Sequence, residues 1–534
     1  MAKNVFEGRS FCVSSDLSLD EKVYLFNKIK ELKQAIIRKD SSVIDSFRIN
    51  NSDFGVYTVF LEDSTRTLES FNNALAFHNV KSSNFNASSS SFNKKESYAD
   101  GFMTLAGYDN RIFIVRSKLE GVCRYLENEG RAYAARNNLP FASAFINAGD
   151  GMHEHPTQES LDEFSLLEDN SWNRDSLHIA LVGDLFHGRT VHSKAEGLKF
   201  FKNVKVDLVA PDVLQMPQHY IDIMRNNNFD VSIFGSLEEY FDSKNVASQL
   251  YFTRPQLERM GEDVLSKQQE LRKAITLTSD LLKKISNLDD LKVYHPLPRH
   301  KEHPVIPTYL DNLPLNRWES QSINGLYSRI VLLAAIAGKI GSDFEGTPFI
   351  RPTYSDKGII TYADLSKRVT TKTVLKDGIN PLVNGVVIDR FCRGESKEVI
   401  WNYMYKTMNL LGLDSNKGFI GVGESKSDPG IYKGLLFLPN SEPFLEDDLK
   451  RLAAISGGCV VNNIVNKNVF EKIHLSAPSR VYGLDDLVCK NTSCISSDNH
   501  AEMNAVPEFI ALHGGDSYSC AFCDTAHTFK ELWK

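Results

Sequence analysis

Residues 57–71 read YTVFLEDSTRTLESF, and this stretch decides the fold of the first half of the chain. Tyr57–Leu61 is a short apolar run of β-prone residues, while Leu68, Phe71 and Leu75 recur at helical spacing. A strand that passes straight into a helix is the unit of a parallel α/β sheet. The loop between them, Glu62-Asp63-Ser64-Thr65-Arg66-Thr67, carries three hydroxyls and a cation at a helix N-terminus. Unpaired N–H groups and the positive end of the helix dipole suit a phosphate there. Ser and Thr are also common N-caps, so this stretch alone leaves a plain cap open.

The same alternation recurs on both sides. Strands are predicted at Arg111–Val115 and Phe141–Asn147, then at His178–Val182, Val206–Val209, Val231–Phe234, Gln249–Phe252 and Lys292–Tyr294. Short continuous apolar strands between helical segments predict an α/β part with two doubly wound parallel-sheet domains. Ser18 and Glu21 form an S-x-x-E capping box before a helix patterned by Leu25, Ile29, Leu32 and Ile36. The helix Gly325–Ala337 is expected to pack back on the first sheet. Residues 84–97 are rich in Ser and Asn and read as a flexible loop. Residues 342–378 lack helical periodicity and read as a linker. Beyond it come strand Val386–Phe391, helix Lys397–Leu411, strands Phe419–Val422 and Gly434–Leu438, helix Glu446–Ile455 and strand Cys459–Ile464. That order, βαββαβ, predicts a ferredoxin-like α+β domain.

In open parallel sheets ligands bind beyond the carboxyl ends of the strands. Arg116 follows the second predicted strand, and His155-Pro156-Thr157-Gln158 lies just past the third. Gly183-Asp184-Leu185-Phe186-His187-Gly188-Arg189-Thr190 follows the first strand of the second sheet. It nearly matches a nucleotide phosphate loop, with Arg189 where that loop has lysine. Thr253-Arg254-Pro255-Gln256 and His295-Pro296-Leu297-Pro298-Arg299 also follow strands. A single arginine is usually a solvated charge. Arg66, Arg116, Arg189 and Arg254 all at strand ends describe a cleft for a pair of polyanionic ligands.

The bulk numbers narrow the class. A chain of 534 residues suggests about three or four domains. The net charge of −7, with both signs interspersed, gives no basis for a nucleic-acid or anionic-membrane partner. The longest apolar run, Ile330–Gly338, is too short to span a bilayer, and the N-terminus carries no apolar signal segment; a cytoplasmic location is expected. Of eight cysteines, Cys12, Cys123, Cys392 and Cys459 are scattered. Cys489, Cys494, Cys520 and Cys523 crowd the tail with C-x4-C and C-x2-C spacing. Four thiolates close a tetrahedral zinc site with no place for water, so one structural zinc per chain is expected in a small zinc-binding domain. His500 and His513 are alternative ligands, and a nucleic-acid zinc ribbon is disfavoured by the acidic excess after residue 376.

S-T-R-T at 64–67, H-P-T-Q at 155–158, G-R-T at 188–190, T-R-P-Q at 253–256 and H-P-L-P-R at 295–299 resemble the aspartate carbamoyltransferase motif set over roughly residues 1–340. The ferredoxin-like unit and cysteine tail are similar to that family's regulatory chain over roughly 376–534. The chain is therefore identified as a fused catalytic and regulatory polypeptide of that family. The resemblance implies that carbamoyl phosphate and L-aspartate give N-carbamoyl-L-aspartate and phosphate, a step of pyrimidine biosynthesis, with no cofactor in catalysis. It implies a carbamoyl-phosphate domain at 1–155, completed by 300–341, and an aspartate domain at 156–299. After the linker it places a nucleotide-binding regulatory domain at 379–475 and a zinc domain at 476–534.

The family's site residues transfer by motif. Ser64, Thr65, Arg66 and Thr67 would hold the phosphate together with Arg116. Thr67, Arg116 and His155 would polarise the carbamoyl oxygen, and Gln158 would orient the amide. Arg189 and Arg254 would each take one aspartate carboxylate, helped by Thr190, Gln256 and the Leu297-Pro298 backbone. Ser91 and Lys95 resemble a loop that reaches a neighbouring subunit, which implies a homo-oligomer built on catalytic trimers. Asp389 and Lys472 match effector-site positions for a regulatory nucleotide. The sequence departs from the family at Asp63 (proline there), Arg390 (histidine), Phe437 (a second lysine) and in a loop one residue shorter before Ser97. The rival ornithine enzymes share the first two motifs, but a cationic substrate would not sit beside Arg254 and Lys95. Two further alternatives are a regulatory half used only for assembly and a binding-only protein with a decayed site.

Overall fold

The computed structural model describes residues 4–85, 96–243, 245–256, 268–285, 288–354, 357–366, 382–413, 418–425, 428–484, 486–500, 502, 504–512 and 517–534. The chain divides into two units, Met1–Arg351 and Pro352–Lys534.

In the first unit, β1 (Gly55–Phe60), β2 (Lys81–Asn84), β3 (Asn110–Ser117) and β4 (Ala144–Asp150) form a parallel sheet of order β2-β1-β3-β4. A second parallel sheet contains β5 (Ser176–Val182), β6 (Asn203–Val209), β7 (Asp230–Phe234), β8 (Gln249–Phe252) and β9 (Lys292–Tyr294), in the order β7-β6-β5-β8-β9. Ile112, Phe113 and Ile114 in β3 and Ile179 to Val182 in β5 are fully buried, as central strands covered on both faces must be. Helix Trp318–Ile336 packs on helices Thr65–His78, Pro156–Asp169 and Leu19–Arg38. Its apolar run makes it a buried strut that holds the loops after β1 and β4. The capping box at Ser18 and Glu21 is formed, and Glu21 also accepts two hydrogen bonds from Arg9 at 2.7 Å.

Two differences from the sequence reading have physical causes. β4 starts at Ala144 because the Phe141 ring lies 3.6 Å beneath the Arg111 guanidinium instead of in the sheet. β2 reads KSSN, a polar, exposed edge strand with no core face to give it a pattern.

Residues 343–351 of the expected linker are tied to the first unit. Lys28 pairs with Asp343 at 3.1 Å, Phe349 N donates to Glu21 Oε1 at 3.1 Å, and Arg351 pairs with the buried Glu127 at 2.7 Å. These are side-chain anchors, which leave no periodicity to read. Residues 367–381 lie outside the described residues.

The second unit carries β10 (Ile360–Tyr362), β11 (Gly385–Phe391), β12 (Phe419–Glu424), β13 (Tyr432–Pro439), β14 (Val460–Val465) and β15 (Asn468–Leu475). They form one antiparallel sheet of order β10-β15-β14-β11-β13-β12. The inner order β14-β11-β13-β12, with helices Lys397–Leu410 and Glu446–Ile455, is the expected ferredoxin-like unit. β15 and β10 extend it, so part of the supposed linker is sheet. The tail adds a small antiparallel sheet of β16 (Arg480–Val481), β17 (Phe509–Ala511), β18 (Ser517–Cys520) and β19 (Ala526–Thr528).

Candidate active site and metal centre

All five motifs line one cleft of about 740 Å³ in the first unit: Ser64 to Thr67, His155 and Gln158, Gly188 to Thr190, Thr253, Arg254 and Gln256, and His295 to Pro298. Arg116 joins them from the end of β3. Ser64 occupies the N-cap position of helix Thr65–His78, yet its side chain makes no capping hydrogen bond. A plain cap lacks its defining contact here, and the hydroxyl lines the cleft instead. Gly149, at φ 114°, is demanded by Arg116: a Cβ would lie 2.6 Å from Nη1, which donates to Ala148 O at 2.9 Å. Ser91, Lys95 and His513 lie outside the described residues.

The cleft is short of negative charge. Burial and then the charge of Arg254 push the Arg66 pKa down, and burial lowers that of Arg116. A guanidinium does not give up its proton near neutrality, so these shifts measure a site that favours anions. Burial, with the charges of Arg116, Arg189 and Arg329, holds His155 well below the usual imidazole range. His155 is therefore neutral, with Nε2 3.5 Å from Thr67 Oγ1 and Nδ1 3.3 Å from Thr157 Oγ1.

Glu62 and Arg329 were given no role from sequence, and His295 entered only as part of its motif. Glu62 pairs with Arg116 Nη2 at 2.8 Å and stands 4.0 Å from Arg189 Nη1. Its signal was its place in the strand-end loop, beside the arginine set. Arg329 is 3% exposed, donates to Ser70 Oγ at 3.0 Å and has its pKa pushed down to about 10 by burial. A lone cation inside the apolar run of helix Trp318–Ile336 was the clue. His295 accepts Leu297 N–H on Nδ1 at 2.8 Å, while its buried Nε2 lacks a partner among the described residues.

The phosphate-loop alternative at 183–190 fails on its donors. Asp184, fully buried, accepts the backbone N–H groups of His187 at 3.0 Å and of Gln256 at 2.9 Å. Of the loop's amides, His187 N–H is taken by this carboxylate, and those of Gly183 and Leu185 donate to Val209 O at 3.2 Å and Leu214 O at 2.9 Å, so none of the three faces a phosphate. The helix that follows, Arg189–His192, has only four residues. Gln256 Nε2 donates to His187 O at 2.7 Å, which fixes its side chain at the rim.

In the tail, Cys489, Cys494, Cys520 and Cys523 are buried, and their sulfurs lie within 4.8 Å of one another. Cys489 and Cys523 sulfurs are 3.7 Å apart, those of Cys494 and Cys520 3.9 Å. Metal–sulfur bonds of ~2.3 Å in a tetrahedron give edges of roughly 3.8 Å, so the donor set fits. The neighbouring thiols and burial push the Cys489 pKa up. His500 is half-buried, with Nε2 2.8 Å from Thr492 O, and stands outside the cysteine cluster.

On the six-stranded sheet, Val387 pairs with Asn462 and Asn462 with Lys472, while Phe437 pairs with Val387 from the other side. Directly paired residues share a face, and Asp389, two along from Val387, joins them. Asp389 accepts from Lys433 Nζ at 2.6 Å, a contact the sequence reading missed. Burial, Lys472 and Arg390 lower the His474 pKa, so these cations cluster.

Comparison with known proteins agrees with this geometry. Residues 9–168 match the aspartate/ornithine carbamoyltransferase carbamoyl-P binding domain, and 175–336 its Asp/Orn binding domain. Residues 377–476 match the allosteric domain of the aspartate carbamoyltransferase regulatory chain, and 479–533 its metal binding domain. Protein PyrBI of Treponema denticola is 53% identical over 99% of both chains, and protein PyrBI of Thermotoga maritima 45% identical over 99% of both. Aspartate transcarbamoylase from Trypanosoma cruzi, solved with N-(phosphonacetyl)-L-aspartic acid, is 27% identical with a TM-score of 0.52, covering 62% of this chain and 97% of that one. The catalytic subunit from M. jannaschii gives 26% and 0.52, covering 63% and 100%. Two parallel-sheet domains around an anion cleft, with domains of the regulatory-chain type in the same chain, define a carbamoyltransferase that carries its own regulatory part. The chain belongs to the aspartate carbamoyltransferase family, in the form that fuses catalytic and regulatory parts, and it makes N-carbamoyl-L-aspartate and phosphate. Among the described residues no helix is long and apolar enough to cross a membrane.

Proposed function

We propose that the cleft divides its cations between two substrates. Ser64, Thr65, Arg66 and Thr67 bind the phosphate of carbamoyl phosphate, with Arg116. Arg189 and Arg254 take the two aspartate carboxylates, with Thr190, Gln256 and the Leu297-Pro298 backbone. The neutral amine of aspartate attacks the carbamoyl carbon, charge grows on the carbamoyl oxygen, and the carbon–oxygen bond to phosphate then breaks, with phosphate leaving and taking the proton that the amine gives up. Thr67, Arg116 and neutral His155 supply fixed donors to that oxygen, and Gln158 orients the amide. Holding both anions in one cleft supplies proximity. Incoming anions take over Arg116 and Arg189 from Glu62. The observation that carries this reading is the convergence of Arg66, Arg116, Arg189 and Arg254 in one cleft, with the charge of Arg254 acting on Arg66.

The metal of the tail is proposed to be structural zinc, about one per chain. Elemental analysis should find it, and Cys494→Ser should lose it and unfold residues 480–534, because binding is coupled to folding. Retained metal in that variant would contradict the ligand set. Ser91 and Lys95 are proposed to complete the site of a neighbouring subunit in a catalytic trimer. Arg66→Ala and Lys95→Ala chains, each inactive, should regain activity when unfolded and reassembled together. Hybrids as inactive as their parents would rule the shared site out.

A nucleotide is proposed to bind the face carrying Asp389 and Lys472, in a chain that works in the cytoplasm. The Lys433–Asp389 pair favours binding over a role in assembly alone, because it supplies the cation that Phe437 removes.

A further inference from the structure

Asp162 lies in helix Pro156–Asp169 with its side chain fully buried. Its carboxylate accepts four hydrogen bonds. Oδ1 takes Gln158 Nε2 at 2.9 Å and Gln321 Nε2 at 2.7 Å. Oδ2 takes the Tyr251 hydroxyl at 2.7 Å and Lys194 Nζ at 3.1 Å. The partners come from four elements: the Asp162 helix itself, helix Trp318–Ile336, β8 and the short helix Lys194–Gly197. All four are donors, so the carboxylate has no room for a proton and acts only as an acceptor.

An amide has one donor end and one acceptor end, and the acceptor-only carboxylate decides which way each points. With Nε2 of Gln158 held on Asp162, its Oε1 is the end left for the cleft, which Gln158 lines. With Nε2 of Gln321 on the same oxygen, its Oε1 accepts the backbone N–H of His295 at 3.0 Å. His295 Nδ1 then accepts Leu297 N–H at 2.8 Å, which sets the turn that follows β9. Tyr251 also receives a hydrogen bond from Thr190 of the G-R-T motif.

We propose that Asp162 is a positioning residue that orders both ends of the cleft at once. Its carboxylate fixes Gln158 so that a carbonyl oxygen meets the carbamoyl NH2. Through Gln321 it holds the His295–Pro298 turn at the aspartate end. The inference rests on the roles proposed for Gln158 and for the Leu297-Pro298 backbone. An asparagine at this position keeps the size but cannot accept four donors, so one amide must turn round or lose its partner. Lys194 keeps Glu159 at 2.9 Å, so the substitution does not strand a buried cation.

The test is steady-state kinetics of the full chain with both substrates varied, for wild type, Gln158→Leu, Gln321→Leu, Asp162→Asn and the Asp162→Asn/Gln158→Leu double variant, with thermal melting as the fold check. Gln158→Leu should lower kcat ten- to hundredfold and leave the aspartate KM within twofold. Gln321→Leu should raise the aspartate KM at least fivefold. Asp162→Asn should do both, and the double variant should be within twofold of the worse single in kcat. A folded Asp162→Asn with kcat and aspartate KM both within twofold of wild type overturns the proposal. So does a Gln158→Leu loss that multiplies in full on the Asp162→Asn background. Should Asp162→Asn not fold, Gln321→Leu decides, and an unchanged aspartate KM there overturns it. A wild-type chain that forms no carbamoyl aspartate instead overturns the underlying reading of the cleft.

Discussion

The cleft of the first unit and the outer face of the six-stranded sheet both gather cations around a carboxylate, under opposite constraints. In the cleft, Arg116 and His155 are 7% and 5% exposed, and each is held by specific partners. On the sheet face, the Asp389 and Lys433 side chains are 31% and 13% exposed, and Arg390 is open to solvent. A buried charge that loses its partner costs several kcal/mol, so each position in the cleft is tied to the others. A partly exposed pair that opens to solvent is less tightly bound to its neighbours, and a cation there can move to another strand position at lower cost. That difference explains why the catalytic motifs are whole while the effector face has Phe437 for one lysine and Lys433 nearby.

Arg116→Ala should test the buried side most severely. It removes a preorganised donor to the developing oxyanion and leaves Glu62 only its longer contact with Arg189, so kcat/KM should fall about 10³-fold. Initial rates at low substrate measure this, and a loss under tenfold would place Arg116 outside the chemistry.

The second prediction uses pH. Burial and the charges of Arg299, Arg66 and Arg254 push the His295 pKa down to about 3. The unfolded chain binds that proton first, near its reference pKa of ~6.5. The contribution of His295 to stability is therefore whole above that value and is lost as pH falls from there toward 3. Between pH 6.5 and 5 the loss is about 2 kcal/mol, at roughly 1.4 kcal/mol per pH unit. Urea midpoints at pH 7.5 and 5 should show the pH effect reduced by that amount in His295→Gln. His474→Gln, on the open face, should reduce the pH effect by clearly less, because solvent screens the lowering of its pKa. Equal behaviour of the two variants would erase the contrast between the regions.

The smallest effect is expected at Lys433→Ala. Its ion pair is only partly buried, so nucleotide affinity should drop less than about fivefold in a calorimetric titration. A loss above fiftyfold would make the open face as constrained as the cleft.

Most of the fold was legible in the sequence because buried parallel strands are continuous apolar runs: β8 and β9 were bounded to the residue. The four inner strands of the antiparallel sheet also carry apolar runs that marked them, although β12 is only half-buried. What was missed had no apolar face to betray it. β2 is polar, β10 is three residues long, and the 343–351 segment is held by Asp343, Phe349 and Arg351 contacts. The strand-end motifs and the cysteine quartet were legible because their spacing is chemical. Glu62, Asp162, Arg329 and Lys433 were not, since a single charged residue acquires meaning only when folding brings its partner to it.

One kinetic experiment measures the division of cations within the cleft most directly. Initial rates of wild type, Arg66→Ala and Arg254→Ala should be recorded with aspartate and with ornithine, varying each substrate in turn. Wild type should carbamoylate aspartate and leave ornithine at background. Arg66→Ala should weaken carbamoyl phosphate, and Arg254→Ala should raise the aspartate KM by about 100-fold, as loss of a charged hydrogen-bonded partner predicts, with the carbamoyl phosphate KM little changed. Equal effects of both variants on both substrates, or comparable turnover of ornithine, would contradict it.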